Sequence, residues 1–261
     1  MMIVDKDRGV ELEVLEQGSG PDVVLLASAL RPATDFALLQ AALTKAGFRS
    51  LAVNMRGIGK SRGPEGEFTL EDIADDVAGV INQACGGRAH VVGHALGNIM
   101  ARATAAYHPD LVSTVAVMPP GGHALGKYPV AAHVLEAFAR CHDESLPDAV
   151  RLEALQIAFF APGNDASSWL TDWWPSGAAI SAAFQRVDPE TWWRAGGRPI
   201  LVIQPMKDVM APPEVGREMA QALGSQVTYV EAPNCGHAIL PEQPDLIADL
   251  IIGYLRDHAA A

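Results

Sequence analysis

Apolar and polar positions along this chain alternate between two kinds of pattern. Residues 10–17 switch between apolar and polar at every step, as a strand with one wet face does, and the turn GSGPD follows. Residues 23–27 are a continuous apolar run of the kind buried on both faces of a sheet. Phe36, Leu39, Leu43 and Ala46 then recur at helical spacing up to Gly47, and 49–53 reads as the next strand. Beyond the glycine-rich NMRGIGKSRG, Thr69 and Asp72 form a capping box opening a helix that runs to Ala84. Asp72, Asp75 and Asp76 fall in its first turns, where negative charge suits the helix dipole and water. A strand over 89–92, a helical run through Ile99, Ala103 and Ala106, and a strand over 111–118 come next.

Between about 119 and 197 the alternation stops. No strand-like run occurs there; helical stretches at 130–140, 147–160 and 180–186 take its place, together with Trp169, Trp173, Trp174, Trp192 and Trp193. Afterwards a strand at 199–204, a helix at 213–223, a strand at 226–231 and a last helix to His258 resume the pattern. Strands separated by helical segments imply right-handed crossovers and a mostly parallel sheet. The predicted fold class is therefore α/β: a sheet of about eight strands flanked by helices, with residues 1–119 and 197–261 as the core and 120–196 as an inserted helical cap.

Composition narrows the partners. The chain has 261 residues, 49% of them hydrophobic, enough for one large core, and its net charge of −12 without lysine or arginine clusters argues against nucleic acid or an anionic membrane. MMIVDKDRGVELEV has no basic segment followed by an apolar one, and no apolar run approaches the roughly 20 residues that span a bilayer, so a cytoplasmic location is expected. Cys85, Cys141 and Cys235 show no metal or disulfide spacing, and the run Cys141, His142, Asp143, Glu144 reads as a solvated loop. No metal or cofactor is expected; a homodimer is left open.

The candidate chemistry lies in HVVGHALGNIMA, residues 90–101. A strand, a sharp turn and a helix with glycines at 93 and 97 have the spacing of a nucleophile elbow, which holds its middle residue strained and exposed. The middle residue should be a serine, and it is Ala95. A hydroxyl nucleophile needs an imidazole to take its proton and a buried carboxylate to hold that imidazole. His237 and Asp208 suit those roles, because each stands just past the carboxyl end of a predicted strand, the edge where open α/β sheets bind ligands.

With these segments in hand, the chain resembles the α/β-hydrolase superfamily over nearly its whole length. GHALG is similar to the elbow G-x-S-x-G except at the nucleophile, and NMRGIGKS to the loop D-x-R-G-x-G-x-S with Asn54 in place of aspartate. QPMKDVMAPP and PNCGHAILPEQP are similar to the acid and histidine segments, in the superfamily's order. The resemblance implies catalytic positions Ala95, Asp208 and His237, and oxyanion donors at the backbone of Leu96 and, by position, Ala29. Ser28, beside Ala29, is either a loop serine bonding backbone or a displaced nucleophile. Asn98 also departs from the glycine that many relatives carry.

Candidate substrate contacts are Ser28, His94, His123, Trp169, Trp173 and Trp174, and the aromatic cap implies a small apolar ester or lactone unless its rings only pack. His123 in PPGGH stands where the chain leaves the sheet, as a ligand contact or as a plain loop residue. A methyl group cannot attack a carbonyl. Either a serine has been replaced at position 95, or alanine is native and the His237–Asp208 dyad acts as a base in lyase or cofactor-free oxygenase chemistry, or the chain is a binding protein without a reaction.

Overall fold

Eight strands hydrogen-bond in the order β1-β2-β4-β3-β5-β6-β7-β8: Met2–Asp5, Val10–Gly18, Arg49–Val53, Asp22–Leu26, Ala89–His94, Val112–Met118, Ile200–Pro205 and Val227–Ala232. The computed structural model describes residues 1–28, 30–64, 66–122 and 127–258. Pairings β1–β2 and β2–β4 are antiparallel and the remaining five are parallel, so the sheet is mostly parallel as the alternation requires. Strand β1 is absent from the sequence reading. Four residues with mixed burial give too short a period to register, and the strand exists because it pairs with β2 in register Met2 to Glu13.

Central strands are apolar throughout because helices cover both faces. Val24, Leu26, Val91, Val117 and Val202 face helices α2 (Leu70–Ala84) and α3 (Leu96–Tyr107). Val23, Leu25, Val92, Ala116 and Ile203 alternate onto the other face, against α1 (Ala37–Lys45) and the C-terminal helix (Pro244–His258). The capping box forms as read: Thr69 Oγ1 accepts from Asp72 N at 3.1 Å and the Asp72 carboxylate accepts from Thr69 N at 2.8 Å.

Between β6 and β7 the described residues contain no strand. Helices α4 (Ala132–Cys141), α5 (Asp148–Ala158) and α6 (Ala178–Gln185) lie there. The α4–α5 pair makes its own apolar cluster with Phe159, Phe160, Trp169 and Trp173. Trp192, Trp193 and α6, in contrast, pack into the cluster on the α2–α3 face of the sheet, with Trp174 against them. The five tryptophans thus divide between two jobs.

Candidate active site

Close backbone packing shapes the turn between β5 and α3. A Cβ on Gly93 would lie 2.2 Å from the Gly97 carbonyl oxygen, and one on Gly97 would lie 1.9 Å from the Leu26 oxygen, so only glycine lets strand and helix approach this far. Ala95 between them has φ 50° and ψ −116°, a conformation costly for a residue with a side chain. Local bonds hold it there: Ala95 N donates to Met118 O at 2.9 Å, and Asn98 Nδ2 donates to Ala95 O at 2.5 Å. Leu96 opens α3, so its N–H has no carbonyl partner inside the helix.

Asp208 and His237 occupy the loops after β7 and β8 and meet at 2.9 Å, Oδ2 to Nδ1. Oδ1 of the buried Asp208 accepts from Met210 N at 2.8 Å and Ala211 N at 2.9 Å. All three neighbours of the carboxylate are donors, so the ring gives its Nδ1 proton to Asp208 and leaves Nε2 as the nitrogen free to accept. His237 lies on the wall of a cavity of about 470 Å³ that is also lined by Ser28, Ala95, Leu96, Trp169 and Trp173. Phe138, Phe159 and Phe184 share the lining. That volume is in the range of small-molecule sites.

Two sequence-predicted contacts do not reach this cavity. His94 is completely buried and its Nε2 bonds the His237 carbonyl oxygen at 2.9 Å, behind the site. Burial, with the charge of His237 second, holds its ring down to about 3, so it is neutral; the carbonyl can only accept, which puts the proton on Nε2. His94 is the last residue of β5, and side chains alternate along a strand, so nearness to the turn does not decide which way it points. Trp174 is the other, since it packs on the sheet's apolar cluster with α6. Ala29 and His123 lie outside the described residues. Ser28 lines the cavity, but among the described residues no hydrogen bond joins its hydroxyl to His237.

The loop containing Asn54 is structural. Asn54 Oδ1 accepts from Ala33 N at 2.7 Å while its Nδ2 donates to Glu13 Oε2 at 3.0 Å, a bond an aspartate there would replace with repulsion. Arg31 also stands on the cavity wall, and its spacing of four from Asp35 was the available signal in the sequence.

Comparison with known proteins agrees with this architecture. A model described as the alpha/beta hydrolase family matches residues 23–250. Over 106 residues the chain is 38% identical to 2-(acetamidomethylene)succinate hydrolase of Mesorhizobium japonicum, a match covering 41% of this chain and only 38% of that protein. The enol-lactonase from Burkholderia xenovorans LB400 superposes with a TM-score of 0.76 over 95% of this chain and 97% of its own, at 24% identity. A thermophilic esterase from Thermogutta terrifontis does so with a TM-score of 0.74 over 95% and 94%, at 23% identity. At such identities the two structures attest the fold. The family model spans most of the length, and the chain belongs to the alpha/beta hydrolase family.

Proposed function

We propose that the cavity binds a small apolar ester or lactone at a Ser-His-Asp type site whose nucleophile position is Ala95, so that the chain as it stands holds this substrate with very little turnover. The observation carrying this reading is the His237–Asp208 pair, 2.9 Å apart, whose histidine lines the same cavity as a residue held at φ 50°. A hydroxyl at position 95 would pass its proton to His237 Nε2 as it attacks the carbonyl carbon; the imidazolium, balanced by Asp208, would then protonate the leaving oxygen. The N–H of Leu96 would take part of the negative charge on the carbonyl oxygen. Trp169, Trp173, Phe138 and Phe159 make the lining apolar and aromatic. The 2-(acetamidomethylene)succinate hydrolase, 38% identical over 106 residues, supports a hydrolytic reaction.

Assay of Ala95→Ser on p-nitrophenyl esters and aryl lactones tests the reading. Removing the nucleophile of such a unit takes away roughly 10⁶ of the rate, so the serine form should gain several orders of magnitude over the unaltered chain. A second reading is favoured by the completeness of the dyad without any hydroxyl: His237 acts as a base on water or on a substrate proton. It replaces the first if Ala95→Ser is inert while the unaltered chain transforms a substrate and loses that activity in His237→Ala.

A further inference from the structure

Among the described residues four arginines are buried: Arg31, Arg56, Arg102 and Arg151. Arg31 is paired with Asp35 at 2.7 Å, Arg56 with Asp76 at 2.5 Å and Arg151 with Asp148 at 3.4 Å. Arg102, in the middle of α3 and completely buried, has no carboxylate within ion-pair distance among the described residues. Its donors end on neutral atoms: Asn98 Oδ1, the Gly121 carbonyl oxygen, the Asn98 carbonyl oxygen at 3.4 Å and Met219 Sδ at 3.8 Å. The guanidinium carbon sits 4.8 Å from the ring centre of Trp192. Burial brings the group down to about 9, which leaves it a cation at neutral pH.

Taking a cation out of water without a counter-charge is expensive, and carbonyls with one aromatic face return only part of that. The position of the charge is the informative part. Asn98 and Gly121, which receive the guanidinium, are themselves wall residues of the cavity, so a full positive charge lies one layer behind its lining in a medium that screens poorly. Arg31 also lines the cavity, but two bonds to Asp35, at 2.9 and 2.7 Å, pair its charge, and a third N–H goes to the Thr171 carbonyl at 2.7 Å.

We propose that the wall formed by Asn98 and Gly121 is an anion subsite, and that the molecule taken into the cavity carries, besides its apolar part, a carboxylate or similar small anionic group whose counter-charge is Arg102. The proposal rests on reading this cavity as the substrate site and narrows the substrate to an acidic ester or lactone. A different role for the same arginine would be that of a strut, tying α3 to the turn after β6 and holding the Asn98 amide on the Ala95 carbonyl. A strut has no preference for charged ligands.

The probes are phenylacetate and phenylacetamide, equal in size and ring and different in charge, titrated against the unaltered chain by quenching of tryptophan fluorescence. Phenylacetate is expected to bind roughly tenfold more tightly or better, the preference that a poorly screened cation one layer behind the wall would give. Arg102→Gln should abolish the preference, and Arg102→Lys should retain part of it. Equal binding of the two probes by the unaltered chain overturns the proposal without any variant having to fold. A preference that survives Arg102→Gln, or that vanishes in Arg31→Gln instead, overturns it as well. Neither probe is an ester, so the outcome separates from the hydrolase reading: an anion preference alongside an inert Ala95→Ser leaves the subsite and removes the hydrolase, and an active Ala95→Ser without the preference does the reverse.

Discussion

Asp208 is an acceptor with nothing to donate, and each of its neighbours here is a donor: two backbone N–H groups and the His237 ring. Asparagine has nearly the same outline but must turn an NH2 group toward one of them, which either leaves a backbone N–H unpaired or faces Nδ1 with a donor and reverses the ring's tautomer. In the Ala95→Ser protein, Asp208→Asn is therefore expected to lower kcat for aryl esters by about three to four orders of magnitude with little change in fold, as followed by steady-state kinetics and circular dichroism. Asp208 and His237 were legible in the sequence because loop chemistry and strand order marked them independently. His94 was misplaced for a local reason, since motif position shows nearness to the turn and not the direction of the side chain. Arg102 was illegible. A cation without a partner is a property of the packed interior, and its sequence neighbourhood, MARAT, is that of any amphipathic helix.

At the scale of elements, the elbow depends on two missing side chains. Gly97→Ala would drive a methyl to 1.9 Å from the Leu26 carbonyl oxygen, backbone against backbone, where no rotamer offers relief. The substitution should destabilise the fold by more than about 2 kcal/mol, read as the midpoint shift in urea unfolding. Gly79, half-buried on α2 at a point where an added Cβ would meet nothing within 4 Å, serves as the control: alanine there is expected to be neutral or stabilising. Elements with clear ends were readable to the residue, strand Arg49–Val53 and helix Pro213–Leu223 among them, because proline, glycine and a change of period mark both limits. Within 120–196 the helices were legible but their partners were not. Aromatic residues on successive helices look alike in sequence whether they line a cavity, as Trp169 and Trp173 do, or complete the sheet's core, as Trp192 does.

For the whole molecule, two buried histidines on β5 set a pH limit. His90, bonded to Thr114 Oγ1 at 2.8 Å, is held down to about 4 by burial, and His94 to about 3. Unfolded, both titrate near 6.5, so between that value and about 4 these two rings bind more protons in the unfolded chain than in the folded one. Their neutral forms therefore cost nothing above that range, and stability is lost as pH falls through it. The buried carboxyls of Asp35, Asp76 and Glu242, which burial shifts upward, act in the opposite sense. Thermal unfolding across the acid range should isolate the share of His90: the fall in Tm between pH 6.5 and about 4 should be shallower in His90→Gln than in the unaltered chain.

The strained turn at Ala95 belongs to the backbone, and the sheet and α3 enforce it whatever side chain the position carries. Such a conformation costs on the order of 1–3 kcal/mol, met once by the scaffold and not again by each occupant. Position 95 is in that sense a socket. A hydroxyl, a thiol or a carboxylate placed there would be presented to the cavity that His237 also lines, and each would bring its own covalent chemistry. In a fold built this way, reaction type and architecture can part company at a single codon.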